Sequence, residues 1–270
     1  MQGWPTFIPT ETKVSYLNKL LEVGFDTLDF GSFVSPKAIP QLRDTREVLE
    51  GLRLDGTSTK LLSIIANVRG AEEAAAFDEI SFLGFPFSIS QEFQRRNTNS
   101  TIEESLVRVE EIQEICIRSR KELVVYISMG FGNPYGEEWS PEIVIHWVKK
   151  MAAMGIRTIA LSDTIGVSNP DNIKYLFSKL IPAIPEVEFG AHLHSLPQTR
   201  EEKIRAAFES GCRRFDAALN GIGGCPMADD DLVGNLATES LIGYFGGLER
   251  LNLNESAYKE ALVMANEIFH

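Results

Sequence analysis

The feature that most constrains the fold of this chain is an alternation of short apolar runs, rich in β-branched residues, with longer segments of helical periodicity. This alternation is typical of βα units, in which a helix returns the chain to the next parallel strand. The predicted strands cover residues 25–30, 61–67, 79–83, 123–128, 158–162, 187–192 and 214–218. The predicted helices cover residues 11–23, 43–52, 71–77, 102–118, 141–154, 171–181, 200–209, 238–245 and 255–269.

The placement of polar residues favours a closed barrel over an open, doubly wound sheet. Polar side chains lie at or just after the C-terminal ends of different strands, namely Asp29, Ser32, Asn67, Ser128, Asp163, His192, His194 and Asn220. Barrel enzymes build their sites on that rim, whereas an open sheet would concentrate these residues at one switch point. We therefore predict an α/β fold, a single-domain (βα)₈ TIM barrel over residues 1–270 with additional C-terminal helices from about residue 234. Nothing strand-like precedes the first helix, so we expect the barrel to lack its first strand in this chain.

Charge and composition exclude several classes of partner. The chain has 26 Lys and Arg against 38 Asp and Glu, a net charge of −12, which is the wrong sign for gripping nucleic acid or anionic lipid over a wide surface. Its apolar runs are far shorter than the roughly 20 residues of a membrane span, and no basic segment followed by an apolar one opens the sequence. The three cysteines are too few and too scattered for a disulfide framework. We expect a cytoplasmic protein with neither nucleic acid nor membrane as a partner.

The sharpest chemical signal is His192-Leu193-His194, which uses two of the four histidines of the chain. On a strand, residues i and i+2 point to the same face, so both imidazoles converge on one point at the rim. The alternative is a pair of hydrogen-bonded rim histidines with no metal. Because no cysteines stand at zinc spacing and Asn and Asp are the other candidate ligands, the pattern favours an octahedral divalent cation such as Mg²⁺ or Mn²⁺.

Two segments after the last predicted strand carry further candidates. Residues 221–226 place three glycines and a proline around Cys225, which is typical of a mobile loop that presents a thiol for proton transfer. A turn with an incidental buried cysteine would have the same sequence pattern. Downstream, Asn235 is either a metal ligand or a helix N-cap, and Glu239 is either an acid of the site or a capping partner.

Weaker candidates lie elsewhere on the rim. Asp163 ends a strand in a glycine-containing turn, where an Asx-turn is an equally good interpretation. Lys37 and the adjacent Arg95 and Arg96 are basic residues in an acidic protein. They are candidates for binding a phosphate-bearing tail, although exposed basic side chains are more often simply solvated.

These segments together resemble one family. The residues 32–37 (SFVSPK), 97–105 (NTNSTIEES), 162–167 (SDTIGV), 223–226 (GGCP) and 234–239 (GNLATE) follow in the order found in 3-hydroxy-3-methylglutaryl-CoA (HMG-CoA) lyases. The likeness runs from about residue 2 to about residue 245. HMG-CoA lyases are metal-dependent aldolase-like barrels, and the GGCP and FVSPK segments separate them from the related isopropylmalate and homocitrate synthases.

The resemblance implies a retro-Claisen cleavage of HMG-CoA to acetyl-CoA and acetoacetate, with a divalent cation as cofactor and a homodimer as the assembly. His192, His194 and Asn235 match metal ligands, and Cys225 matches the acid that protonates the acetyl-CoA enolate. The other catalytic residues that it implies are His192, Asp163, Glu239 and Asp29, and the substrate and CoA contacts are Gln2, Asn97, Ser35, Lys37, Arg95 and Arg96.

The chain departs from the family pattern in three places. The family's Arg-Asp pair, which supplies a metal ligand and an enolate-stabilising cation, would stand just before Met1. Asp29 occupies the position of a Glu, and Ser195 that of an Asp. These departures keep two alternatives open, namely a lyase, aldolase or synthase acting on another 3-hydroxyacyl-CoA or a 2-oxo acid, and a catalytically degenerate barrel.

Overall fold

The centre of the molecule is a parallel sheet, in a computed structural model that describes residues 1–224 and 233–269. Its strands are β1 (Thr27–Phe33), β2 (Lys60–Ile65), β3 (Ile80–Ser88), β4 (Glu122–Ser128), β5 (Thr158–Asp163), β6 (Glu188–Leu193) and β7 (Arg214–Phe215). Each strand pairs in parallel with the next one along the chain. The predicted α/β fold with a parallel sheet is confirmed. Within the described ranges no pairing joins β7 to β1, so the curled sheet is open on one side.

Helices alternate with the strands and cover the outer face of the sheet. They are α1 (Thr10–Val23), α2 (Thr45–Glu50), α3 (Val68–Ala75), α4 (Gln91–Thr98), α5 (Ile102–Ser119), α6 (Pro141–Ala153), α7 (Pro170–Ala183), α8 (Arg200–Glu209), α9 (Thr238–Tyr244) and α10 (Glu255–Ile268). Short 3₁₀ turns occupy Pro40–Leu42 and Leu219–Gly221. The predicted start of α6 is confirmed, because Ser140 Oγ accepts a hydrogen bond from the backbone N–H of Ile143 and Pro141 takes the first helical position. None of the helices in the described part of the chain is long and apolar enough to cross a membrane.

The core lies mainly between the sheet and the helices. Fully buried side chains from alternate strand positions, such as Phe85, Ile127 and Leu161, pack there against the apolar faces of the helices. A second, smaller cluster of Leu62, Phe82 and Val124 lies on the inner, concave face of the sheet. Since both faces of the strands are apolar along most of their length, polar side chains collect at the strand ends, where the candidate site lies.

Among the elements that differ from the prediction, β3, β7 and α4 have a clear physical reason. β3 runs on to Ser88, through Gly84 and Pro86, residues that usually end a strand, because its backbone pairs along its length with β4. β7 ends at Phe215, earlier than predicted, because Ala218 pairs with Ala237 instead of with β6. α4 was not predicted as a helix. Ser90, the residue before this helix, caps it, because Ser90 Oγ accepts a hydrogen bond from the N–H of Phe93.

The first and last helices pack against each other and place the N-terminal segment beside the open side of the sheet. α10 lies along α1, and the ring of Phe269 makes edge contacts with Trp4 and Tyr16. Gln41 holds the same segment through its side-chain amide, which donates to the carbonyls of Trp4 and Thr6. This arrangement brings the N-terminal residues Met1 and Gln2 to a cavity on the concave face of the sheet.

Candidate active site

A cavity of about 1160 Å³ extends along the concave face of the sheet to the C-terminal ends of the strands. The predicted site residues that line it are Gln2, Asp29, Asn97, His192, His194 and Asn235. These residues come from positions spread over most of the chain. Their convergence on one cavity is what the prediction of a rim site requires.

Backbone pairing brings the histidines and Asn235 together. The rings of His192 and His194 lie with their centroids 5.7 Å apart at the end of β6. His194 forms an antiparallel bridge with Asn235, and flanking hydrogen bonds run from Ser195 N to Gly234 O (2.9 Å) and from Leu236 N to Leu193 O (3.1 Å). The segment that carries Asn235 is therefore paired with the end of the strand that carries both imidazoles.

A hydrogen bond fixes the side-chain amide of Asn235 and occupies its nitrogen. Its Nδ2 donates to the carbonyl of Ile222 at 2.9 Å, which leaves the amide oxygen as the atom that can ligate a cation. Gly223, at a φ of +107°, makes room for this arrangement, because a Cβ there would lie 2.6 Å from Asn235 Nδ2. The glycines of the 221–224 loop thus allow the loop to approach the asparagine.

His192 has a carboxylate partner that the sequence analysis did not assign. Its Nδ1 lies 3.0 Å from Asp216 Oδ2, and the ring of Tyr126 meets it edge-on with the centroids 5.4 Å apart. An Asp that accepts from Nδ1 fixes the tautomer and leaves Nε2 as the ligating atom. Asp216 follows β7 directly, but the predicted strand ran on to residue 218, so Asp216 fell inside it and the strand-end rule did not select it.

His194 is held as a neutral imidazole. Its side chain is 4% exposed, and burial, assisted by the charges of His192 and Lys203, lowers the pKa of His194 to about 3. A neutral ring offers a lone pair to a cation at any physiological pH. The low pKa thus leaves a ring that can ligate a cation, and it is equally consistent with a neutral, hydrogen-bonded rim histidine.

Asp29 faces the same cavity and titrates near neutrality. The cavity leaves its side chain accessible to solvent, but the surrounding protein desolvates the carboxyl group. This desolvation raises the pKa of Asp29 to about 7 against the opposing charge of the Met1 amino group, and smaller effects come from Asp216, which raises the pKa, and from His192, which lowers it. A carboxyl group with that pKa can accept and release a proton at neutral pH. Asp29 is thus a suitable proton carrier beside the histidines.

The donor set fits a hard or borderline divalent cation, but it supplies only part of the ligands that such a cation takes. Two imidazole nitrogens and one amide oxygen converge at the rim. Over residues 1–224 and 233–269, however, no group of three or more His, Cys, Asp or Glu is arranged to hold a metal ion. The protein ligands present therefore suit a cation that also takes oxygen ligands from other sources, as Mg²⁺ and Mn²⁺ do.

Two predicted catalytic acids do not line the cavity. The carboxylate of Asp163 is fully buried and accepts hydrogen bonds from the N–H groups of Val167 (2.8 Å) and Ser168 (3.0 Å) and from Ser168 Oγ (2.5 Å). Glu239 accepts from the N–H of Asn220 with both oxygens, at 3.0 and 3.1 Å. Both carboxylates hold loops that border the site, and neither reaches the reacting space directly.

The predicted contacts for a phosphate-bearing tail are dispersed. Ser35, Lys37, Arg95 and Arg96 are exposed, and none of them lines the cavity. Arg96 lies over the ring of Tyr135 and pairs with Glu92 at 2.7 Å. Asn97, at the end of α4, is the member of this region that reaches the cavity.

Cys225 lies outside the described residues. Lys203 was not selected from the sequence, yet it is buried at 2% exposure and contacts Asp163 and the backbone of His194. Its signal was a cation on the apolar face of a predicted helix, one turn before Ala206 and Ala207, which are also buried.

Comparisons with known proteins show one family over most of the chain. The HMGL-like family model matches residues 2–257. The cytoplasmic 3-hydroxy-3-methylglutaryl-CoA lyase of Homo sapiens is 32% identical over 266 residues, which cover 96% of this chain and 69% of the human protein. The mitochondrial hydroxymethylglutaryl-CoA lyase of Mus musculus is 33% identical over 251 residues, covering 92% and 75% of the two chains. An HMG-CoA lyase from Acinetobacter baumannii, solved with coenzyme A and 3-methylmalate, superposes with a TM-score of 0.89 at 32% identity and covers 99% of this chain and 87% of its own.

Proposed function

The chain belongs to the HMGL-like family, and from this membership we propose that it is a carbon–carbon lyase that cleaves HMG-CoA to acetyl-CoA and acetoacetate. The observation that carries the proposal is the convergence of His192, His194 and Asn235 at the cavity, with each side chain oriented by its own hydrogen bond or backbone pairing. The relatives named above support the substrate class, and the solved relative with bound coenzyme A supports an acyl-CoA ligand.

We propose Mg²⁺ or Mn²⁺ as the cofactor, with His192, His194 and Asn235 as its protein ligands. When bound, the cation would polarise the oxygens of the substrate as a Lewis acid. The hydrogen bond from His192 to Asp216 and that from Asn235 to Ile222 hold the two ligating atoms ready for it.

The residues of the chain would handle the protons. Asp29, whose pKa is about 7, would accept the proton of the substrate 3-hydroxyl group. As that O–H bond breaks, the alkoxide forms a carbonyl, the bond between carbons 2 and 3 breaks, and its electron pair passes into the acetyl-CoA enolate. Protonation of the enolate at carbon 2 completes the reaction, and we assign that step to Cys225 on the strength of the family resemblance.

The role of Cys225 has its own test. We expect Cys225→Ala to retain binding of Mn²⁺ and of substrate while it lowers turnover by about 10²-fold or more, because it removes a proton donor and leaves the ligands intact. Cys212→Ala is the matched control, since Cys212 is buried and hydrogen-bonded to main-chain carbonyls away from the rim. Unchanged turnover in Cys225→Ala would remove the thiol from the mechanism.

The substrate assignment is tested by product analysis. Purified protein with Mg²⁺ or Mn²⁺ and a thiol reductant should release equal amounts of acetyl-CoA and acetoacetate from HMG-CoA. If HMG-CoA is not cleaved, a panel of other 3-hydroxyacyl-CoA esters and 2-oxo acids, assayed in both directions, decides between a different lyase or aldolase and a condensing synthase. Failure to bind Mn²⁺ in a calorimetric titration would instead indicate a catalytically degenerate barrel.

Further properties follow from the same membership as proposals. We propose that an eighth strand closes the barrel between β7 and β1, supported by the open side that the cavity reaches there, and the reading frame upstream of Met1 tests it. We also propose a homodimer, which light scattering tests. A cytoplasmic location accords with the human relative, and cell fractionation would separate it from the mitochondrial location of the mouse relative.

A further inference from the structure

Behind the histidines, on the side of the rim that faces the helices, lies a buried ammonium group. Lys203 of α8 donates from Nζ to Asp163 Oδ2 at 3.0 Å, to the carbonyl of His194 at 2.8 Å and to the carbonyl of Gly166 at 3.1 Å. The side chains of Lys203 and Asp163 are 3% and 0% exposed. An ammonium group has three N–H donors, and each finds an acceptor here.

The three acceptors belong to two different rim segments. Asp163 and Gly166 lie in the loop after β5, whereas His194 follows β6 directly. The carboxylate of Asp163 in turn closes its loop through the bonds from Val167 and Ser168. The ammonium therefore ties the loop after β5 to the backbone of a proposed metal ligand.

The same loop also lines the cavity together with His194. Thr164, which lies between Asp163 and Gly166, is one of the lining residues. Thr164 is itself fixed, because its Oγ1 accepts from the N–H of Met129 at 2.9 Å. Lys203 thus binds the backbone carbonyl of His194 and also holds the loop that lines the cavity with it.

Stability alone does not explain such a pair. Removing two charges from water carries a large desolvation cost, and buried ion pairs can often be replaced by apolar side chains without loss of stability. A comparable pair, Lys13 with Asp44, lies elsewhere in the molecule. Lys13 Nζ lies 2.6 Å from Asp44 Oδ1, its side chain is 1% exposed, and its other hydrogen bond goes to the carbonyl of Gln41. This second pair contacts none of the proposed ligands and provides a matched reference.

We propose that Lys203 is a positioning residue, which through its ion pair with Asp163 sets the place of His194 relative to His192 and Asn235 and so raises the affinity of the site for a divalent cation. The inference rests on the proposed function, because that function supplies the cation. It adds to it a residue that acts through the main chain of a ligand and touches neither cation nor substrate.

The test compares matched double variants at the two pairs. Lys203→Met alone leaves the carboxylate of Asp163 buried without its cation, which endangers folding, so Lys203→Met/Asp163→Asn removes both charges together. The control is Lys13→Met/Asp44→Asn. For each protein, Mn²⁺ is titrated in the absence of substrate, and hydrogen exchange is followed in the metal-free state over residues 191–196 and 234–237.

We expect Lys203→Met/Asp163→Asn to raise the Kd for Mn²⁺ by about 10- to 100-fold, the range for residues that orient a ligand from behind. Exchange of the Ser195 and Leu236 amides, which pair the two rim segments, should accelerate in the same variant. Lys13→Met/Asp44→Asn should keep the wild-type Kd and the wild-type exchange at these amides, whatever thermal stability it loses. Lys203→Arg, which keeps the charge but not the compact three-donor geometry, should raise the Kd by an intermediate factor.

Three results would overturn the inference, and they are distinguishable. If the wild-type protein binds Mn²⁺ and the variants at Lys203 bind it equally well, the positioning role is wrong and the proposed function stands. If both double variants lose affinity by the same factor, the effect is general destabilisation. If the wild-type protein does not bind Mn²⁺, the metal site and the inference fail together.

Discussion

The rim histidines and the exposed basic residues Lys37, Arg95 and Arg96 are two parts of one proposed substrate site, and the structure holds them in different ways. The histidines are held by strand pairing, by Asp216 and by a buried lysine. The basic residues stand in solvent on a loop and a helix, and Arg96 already pairs with Glu92. The fold therefore fixes the groups proposed to perform the chemistry more firmly than those proposed to hold the carrier, and we expect the effects of substitutions to follow that order.

The largest effect is expected at His194. His194→Ala removes a neutral imidazole that Asn235 and Lys203 hold in place. We expect loss of measurable Mn²⁺ binding and a fall in turnover of about a thousandfold, since the several kcal/mol of charge stabilisation that a cation supplies would be lost. His146→Ala, on α6, is the control. Retained Mn²⁺ binding in His194→Ala would end the proposed ligand set.

The next effect is expected at Asp216, which lines the cavity and contacts His192 Nδ1. Asp216→Asn keeps the shape but weakens the hold on His192 Nδ1, so the Kd for Mn²⁺ should rise by about 10- to 100-fold. Glu188→Gln is the matched control, because Glu188 lies at the opposite end of β6 and pairs with Arg214 at 2.9 Å. Equal effects of the two substitutions would mean that Asp216 acts only through general charge.

The site could be predicted from the sequence only where local rules reach it. The i, i+2 spacing of His192 and His194 on a strand predicts their common face, whereas Asp216 was missed because the predicted strand ran past it to residue 218. The proximity of Asn235 to His194 depends on a bridge between segments 41 positions apart, which local periodicity does not encode. The strand-end rule also selected Asp163, because it does not distinguish the two faces of a strand end and Asp163 points to the helices.

The fold shows the same division. The alternation of strands and helices and the parallel sheet followed from periodicity, because amphipathic helices and apolar strands have different repeats. The ends of β3 and β7 did not, because they depend on which neighbour offers backbone partners, as Ala218 shows by pairing with Ala237. Lys203 was visible as a cation on a buried helix face, but its partners were not.

A smaller, pH-dependent effect is expected at Asp29. Because the pKa of Asp29 is about 7, the ionised base is lost as the pH falls below that value, so wild-type kcat/KM should fall on the acid side with a midpoint near pH 7. Asp29→Asn should abolish this limb and lower the plateau by about 10²-fold. Asp26→Asn, at an exposed carboxyl just before β1, should keep the wild-type profile. An unchanged acid limb in Asp29→Asn would assign the titration to another group.

The smallest effect is expected at the exposed basic residues Lys37 and Arg95. Exposed charge pairs contribute about 0.2–1 kcal/mol, so Lys37→Ala and Arg95→Ala should each raise KM for the acyl-CoA by about 1.4- to 5-fold and leave kcat unchanged. The difference should shrink as salt is added, because screening weakens contacts between exposed charges. Arg118→Ala, an exposed arginine near the end of α5, is the control for net charge. A large fall in kcat at Lys37 or Arg95 would mean that these basic residues take part in the chemistry. The contrast between the fixed rim histidines and the solvent-exposed basic residues would then no longer hold.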